Sequence, residues 1–554
     1  MTPAVERRAA RHAPAVGRCA RVGVVAVVRV VLAGSALYAL CDGAAAQYGG
    51  GPSGPAPSPF APAPTPGQEP RRTFIFQPTI GVEETFTTNA NFDRGSLERE
   101  ADAVTIIRPG FVVNYESAHA RLAGTVALPV FYYARTNNTN SRVLPEANVA
   151  GTLEAWERYL WVDAAINVSQ QYLSPFGPRP TTAVSVSENR YTAQSYLVSP
   201  YTRGELPNGL TYELRDNNVW SVLSNTPAAV DNAYTNQLIG RLDRAPSPLG
   251  WGVDLLRSSV LFTGQDKFVT ELIRARGVYK PDPQLELTVS GGYENNDYAF
   301  TKYKGPIYGI GARWRPGERT SLDARWEHRF FGSSYYVSFD HRTALTVWNV
   351  RVSRDATSFP EQIASLAAGT NVLSLLDSLF SLRVPDPALR QQLVDQFMRE
   401  RGLPTFTSDP VRLYTQQISL VQSASATVGL IGVRNTLFVN AFYSKNESIT
   451  AAGTVVPIPT SGLTNNTQTG GSIVWTHNLS PLLVLTTTLD YLHTQALPPQ
   501  TVRTEQGAFT MVLSRPISPR TSVHAGARYQ SLRSDIRADY EESAIFVGFD
   551  HRFN

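Results

Sequence analysis

Apolar and polar residues alternate through most of the chain from Thr73 onward. In Leu285–Tyr293, Leu285, Leu287, Val289 and Tyr293 fall on one face of an extended strand, and Glu286, Thr288 and Ser290 on the other. Tyr308–Arg315 sets Tyr308, Ile310, Ala312 and Trp314 against Arg313 and Arg315. Ser321–Phe330 sets Leu322, Ala324, Trp326 and Phe330 against Asp323, Arg325, Glu327 and Arg329. A period of two is that of a strand, and charge recurring on one face marks a wall between hydrocarbon and water. A soluble sandwich would turn its apolar face inward and has no use for charge on the buried side.

Short turns alternate with longer polar loops. The short ones recur at Ser117-Ala118, Trp156-Glu157-Arg158, Ser247-Pro248, Pro281-Asp282-Pro283, Pro316-Gly317-Glu318, Arg342-Thr343, Val433-Arg434, Ser480-Pro481 and Ser518-Pro519. The longer ones include 89–100, 135–142, 173–186, 446–466 and 496–502. Bacterial barrels have short periplasmic turns and longer external loops. We therefore expect an all-β fold, a transmembrane antiparallel up-and-down β-barrel over residues 73–554. It is single and monomeric, with about 22 strands and both ends in the periplasm. The last segment, Ala544–Asn554, puts Ile545, Val547, Phe549 and Phe553 on one face, an aromatic closing strand of the kind that barrel-assembly machinery reads.

One stretch departs from alternation. Residues 359–404 predict a short α-helical insert in an external loop. Its first part is apolar at Val372, Leu375, Leu376, Leu379 and Phe380. In its second part Asp386 is an N-cap, Pro387 opens the helix, Leu389, Leu393 and Phe397 share a face, and Gly402 follows the end. The insert either folds inward as a constriction, caps the mouth, or packs on itself above the rim.

Composition changes the picture at the N-terminus. Arg7, Arg8, Arg11, Arg18 and Arg21 precede an apolar stretch from Val22 to Leu40 that Arg29 interrupts, and Ala44-Ala45-Ala46 offers a cleavage site. Residues 1–46 read as a signal peptide, because the apolar run after Arg29 falls short of a spanning helix. Residues 47–72 are rich in proline and glycine and read as a disordered tail. The leader holds six arginines against Glu6 and Asp42. The whole chain has 50 basic and 46 acidic residues, so 44 of each follow the leader. The basic excess belongs to the leader, and nucleic acid is not an expected partner. Cys19 and Cys41 also lie there, which leaves no thiolate for catalysis or metal binding in the mature chain. A mean hydropathy of −0.18 excludes a bundle of membrane helices but suits a wall with one greasy face.

Candidate chemistry is sparse. His119, His328, His341, His477, His493, His524 and His551 are scattered without metal-ligand spacing, so no metal or other cofactor is expected. A lipid-modifying enzyme would need a Ser and a His converging, and only Ser472 with His477 and His493 comes near. Gly309-Ile310-Gly311 lacks a following helix or Lys and is no phosphate loop; glycine in such a strand relieves curvature. Trp161, Trp220, Trp251 and Tyr491 suit interfacial belts. The functional candidates are the inward charges: Arg313, Arg315, Asp323, Arg325, Glu327, Arg329, Arg351 and Arg528, with Glu286. Their guanidinium forks could favour an acidic glycan, or opposite charges could pair along the wall and stiffen it.

Several segments resemble one family, the PEP-CTERM-system-associated outer-membrane proteins of Proteobacteria. The likeness is sharpest at Asp323–Thr343, Ser353–Pro360, Leu375–Arg390, Leu413–Leu420 and Gly432–Ser444, and it includes the opening Phe76–Asn89. The resemblance implies a barrel in the outer membrane of a Gram-negative cell, encoded beside exosortase and exopolysaccharide genes; it supplies no active-site residues. The expected function is therefore a non-enzymatic, channel-like component of exopolysaccharide export or surface assembly. Its partners would be outer-membrane lipid and lipopolysaccharide, the assembly machinery, and exopolysaccharide or its export components. The alternatives are a structural or adhesive surface barrel that binds extracellular matrix and, third, a membrane-embedded lipid-modifying enzyme.

Overall fold

The computed structural model describes residues 73–92, 99–136, 140–225, 232–263, 267–298, 301–364, 417–449 and 465–553, with Leu376, Phe380, Pro410, Val411, Thr415 and Leu463. The signal and tail segments and most of the helical insert, including 386–402, lie outside the described residues.

All the strands join one antiparallel sheet of 24 segments: β1 (Thr73–Thr87), β2 (Asp102–Glu116), β3 (Ala120–Ala127), β4 (Val130–Tyr133), β5 (Arg142–Val143), β6 (Glu146–Trp156), β7 (Leu160–Tyr172) and β8 (Arg190–Glu205) open it. It continues through β9 (Leu210–Ser224), β10 (Ala233–Arg244), β11 (Leu249–Phe262), β12 (Phe268–Asp282), β13 (Leu285–Tyr298), β14 (Thr301–Gly317), β15 (Thr320–Arg329) and β16 (Gly332–Arg342). The last are β17 (Thr346–Thr357), β18 (Ser419–Ile431), β19 (Asn435–Ser448), β20 (Asn466–Ser480), β21 (Leu483–Ala496), β22 (Arg503–Ser518), β23 (Thr521–Ser534) and β24 (Tyr540–Arg552). β3 and β4 both pair with β2, broken only at Leu128-Pro129, so they form one wall strand. β5 and β6 form the next. The wall thus has 22 strands.

The first strand pairs with the last, from Thr79↔Arg552 to Thr87↔Ala544, and closes the ring. Closure satisfies every ladder group without an edge, the condition for a sheet to stand in hydrocarbon. Both ends of the wall lie on the side of the short turns, as the alternation of turn lengths predicts. That side is called periplasmic below.

The outer face is largely apolar, by alternation along the strands. Val289 and Ile310 are each 62% exposed, as is Ile545, although the chain has nothing to gain from showing them to water. Aromatic side chains edge this band. Trp251, Trp314 and Trp348 stand near the short turns, while Tyr293, Tyr308 (stacked on His328) and Trp326 stand toward the long loops. Arginine on this face should be costly. Val547→Arg, near the middle of β24, is expected to destabilise the barrel by about 2–4 kcal/mol. Urea unfolding in lipid vesicles, followed by tryptophan fluorescence, measures it.

Two expected outward side chains are found elsewhere. Phe330 is in the tight turn between β15 and β16 and packs inward on Tyr298 and Tyr303, because the strand ends one residue before it. Trp161 shares the inner face with Asp163 and stacks on Tyr201 at 5.7 Å, with Arg203 over its ring.

Candidate functional site

The inner face is built of charge on one arc and of neutral polar groups on another. On the charged arc the pairs cross more than one strand. Arg276 on β12 donates from Nη2 to Asp243 on β10 at 2.7 Å and from Nε to Asp254 on β11 at 2.8 Å. Arg274 donates to Glu327 on β15 at 2.6 Å. Arg329 donates to Glu294 on β13 at 2.8 Å and to Asp355 on β17 at 2.9 Å. Such reach requires the strand between to lie bare. A Cβ at Gly252 would sit 2.2 Å from the Asp243 carboxylate, and one at Gly309 would sit 2.4 Å from Cγ of Glu327. Glycine at these places makes room for a bridging side chain, a role beyond the curvature expected of Gly309.

The structure places all eight predicted lumen residues on the inner face, but it separates them by company. Arg313 lies between Glu286 at 3.3 Å and Asp323 at 3.2 Å, and Arg325 shares Asp323 and stacks over Tyr336. Glu327 and Arg329 belong to the bridges above. Arg528 pairs with Glu542 at 2.8 Å, both almost wholly buried. Arg315 and Arg351 differ: both are exposed, and among the described residues neither lies at ion-pair distance from a carboxylate. Of the eight, most therefore neutralise wall carboxylates, and Arg315 and Arg351 leave their charge toward the interior.

From β18 to β20 the inner face carries hydroxyl and amide groups instead, among them Ser423, Thr427, Asn440 and Ser472. Ser353 bonds Ser423, and Thr427 donates to Asn440 at 3.0 Å. Ser472 is on this face, buried, whereas His477 and His493 are outward and bond Asn435 and Glu505. The Ser–His convergence that a lipid-modifying enzyme would need at these residues is absent, because the wall stands between them.

Toward the long loops the interior fills. The segment between β7 and β8, residues 173–189, turns into the barrel instead of out of it. Leu173, Phe176, Val184 and Ser185 are buried. Its carbonyls are met from the wall: Arg142 donates to Ala183 O at 2.7 Å, Arg190 to Thr182 O at 2.7 Å, Gln506 to Gly177 O at 3.1 Å, and Tyr133 to Val184 O. On the far side Thr181 N donates to Gln530 at 3.0 Å and Ser185 Oγ to Glu542 at 3.2 Å. A buried loop is stable only when its backbone groups find such partners.

The insert enters from another direction. Ser358 caps a short helix, α1 (Phe359–Ala364): its backbone N–H donates to Glu361 at 2.8 Å, and its hydroxyl reaches the same carboxylate. This cap is legible as Ser-x-x-Glu in the sequence, four residues that the pattern of apolar positions alone passes over. Phe359 is buried, Ser258 on β11 donates to Glu361, and α1 lies against β8, β9 and β10. This part of the insert therefore folds inward. So does Val411, whose N–H and C=O are both held by the Gln468 amide and which packs with Phe442, Leu492 and Tyr172. Nothing in the spacing of these residues announces that they meet.

The chain matches no family model and no curated protein. Among solved structures it is similar to the FrpB iron transporter of Neisseria meningitidis, with 8% identity, 86% of this chain and 81% of that one covered, and a TM-score of 0.45. It is also similar to the siderophore receptor PirA of Acinetobacter baumannii (7% identity, 86% and 80% covered, TM-score 0.42). OccK2 of Pseudomonas aeruginosa is a third such structure (9%, 86% and 98%, TM-score 0.33). The closed two-faced wall, established by this chain's own strand pairing, defines a β-barrel of the outer-membrane type.

Proposed function

We propose that the protein is a gated, channel-like component of a Gram-negative outer membrane that helps secreted polysaccharide, or material associated with it, cross to the surface. One observation carries this reading: a polar interior that is more open toward the periplasm and is closed toward the outside by segments tied in with hydrogen bonds. Arg313, near the periplasmic turn, and Arg325, midway along β15, have side chains 32% exposed, against 10% for Arg329 at the external end. A lining of hydroxyls, amides and neutralised pairs suits a sugar chain, whose own groups are hydroxyls. The likeness to PEP-CTERM-system-associated proteins supports the glycan as cargo.

Planar-bilayer recording of the refolded barrel, with wild type compared to a variant lacking residues 175–186, tests the reading. Steps that appear or grow in the variant are expected; a barrel closed at all voltages in both sinks it. Arg315 and Arg351, exposed and without a carboxylate at ion-pair distance among the described residues, should contribute to selectivity. Arg351→Glu is expected to shift the permeability ratio toward cations by roughly twofold. Reversal potential under a salt gradient reads this directly. Arg313→Gln, which removes a paired cation, should also move the ratio less than the Arg351 change.

The filled mouth favours a second reading, a surface barrel whose loops bind matrix. A mutant that exports glycan yet fails to retain it at the surface would select that alternative.

A further inference from the structure

The largely apolar outer wall carries a cluster of polar groups on β9, β10 and β11. On β9 the outward residues run Tyr212, Leu214, Asp216, Asn218, Trp220; Leu214 is 50% exposed and Trp220 43%. Asp216 lies four residues from each of the two aromatic rings, about 13 Å along the strand either way. Beside it on β10 are Tyr234, Asn236 and the exposed Leu238. Asn236 donates to Asp216 Oδ1 at 2.7 Å and Asn218 to Oδ2 at 3.0 Å, while Tyr234 donates to Asn218 Oδ1 at 2.6 Å. Among the described residues no cation lies at ion-pair distance from Asp216. On β11 the outward Arg257 has a side chain 60% exposed and lies 3.5 Å from Glu271. Glu271 in turn accepts from Asn295 at 3.0 Å.

Register relates the two charges. Asp216 pairs with Leu238, and Leu238 with Arg257, so the carboxylate and the guanidinium flank one leucine on a single rung of the sheet. Ionisable groups that face hydrocarbon are unfavourable and are found paired. Arg257 has Glu271 at 3.5 Å in its own wall, but the strand between keeps it from Asp216, which has no cation at ion-pair distance among the described residues. They can pair between two walls.

We infer that this face is the contact surface for a second copy of the chain, centred on Leu238. Two barrels inserted the same way up are related by an axis along the membrane normal, and such a contact is isologous. A two-fold through β10 sets β9 of one copy against β11 of the other. Each Asp216 then meets the partner subunit's guanidinium at the same position as Arg257, twice over, with leucine against leucine at the centre. The rung is inclined because barrel strands tilt, and the long arginine stem spans the offset. The three-residue amide and phenol network fixes the position of the Asp216 carboxylate on the outer face. The inference is independent of what the barrel conducts, and it replaces the lone barrel expected from sequence with a pair.

Oligomeric state of the full barrel in phosphatidylethanolamine–phosphatidylglycerol vesicles, read by single-molecule photobleaching, tests it. Wild type is expected to bleach in two steps. Asp216→Arg should weaken the dimer by about tenfold or more, and the double exchange Asp216→Arg with Arg257→Asp should restore it. Intact folding of each variant is checked by its shift in gel mobility on heating. A Leu238→Cys chain gives an independent readout. Its thiol lies at the two-fold axis and has no second thiol in the same wall, so an oxidised product there must join two copies. Wild-type barrels that bleach in one step, or dimers indifferent to the charge reversal and not cross-linked in the Leu238→Cys chain, would overturn the inference.

Discussion

Glu542→Leu is expected to unseat the 173–189 segment and open the barrel, at a cost in stability of about 3–5 kcal/mol. Glu542 is fully buried on β24 and is the point where four partners meet: Arg528, Thr87 of β1, Ser185 of the inward segment, and Gln530. Leucine fills the volume but leaves the Arg528 guanidinium buried beside nothing that can neutralise it, and that is the larger part of the penalty. The same change removes the acceptor for Ser185 and frees Gln530, which also holds Thr181. Unfolding in urea should show the loss of stability. Single-channel conductance should rise by on the order of several-fold if the segment is the gate, and protease should cut within 173–189 before the wall unfolds. Conductance and cleavage both unchanged in a destabilised variant would mean that the segment does not obstruct the pore.

Glu294→Leu should cost a similar amount, about 3–5 kcal/mol, without opening the barrel. Glu294 is buried on β13, accepts twice from Arg329 and also from the backbone N–H of Phe330 in the tight turn. Its loss leaves Arg329 with Asp355 alone. The penalty is softened to the extent that this second carboxylate holds the cation, so the companion change Asp355→Asn in the same chain should add to it more than additively. A double-mutant cycle on urea midpoints measures the coupling. Conductance of the folded variant should match wild type, since these residues frame the wall and touch neither the 173–189 segment nor Val411. The two glutamates thus separate stability from gating.

The phase of the alternation was legible wherever a strand carries apolar residues on one side and charge on the other. Ile310 and Trp314 face out, Arg313 faces in, and the register of β14 with β15 keeps Asp323 opposite Arg313. The predicted set of lumen charges was readable for the same reason. Which carboxylate each arginine meets was not, because partners such as Arg276 and Asp243 lie two strands apart across a glycine. Asp216 could not be placed either: in Leu214-Arg215-Asp216-Asn217-Asn218 four consecutive residues are polar, and a run of that kind has no phase of its own.

The sequence by itself determined the two-faced wall, the alternation of short and long connections, an even strand number with both ends on one side, and the closing aromatic strand. All of these are local: side-chain direction repeats every two residues, and turn length is written in the residues of the turn. Only the tertiary structure decided that residues 173–189 and α1 point inward, that Trp161 and Phe330 leave the lipid face, and that Asp216 and Arg257 share a rung on the outside. Those outcomes depend on register accumulated from strand to strand around a ring of 22. They depend equally on contacts between residues hundreds of positions apart, such as Ser185 with Glu542, for which no short-range pattern exists.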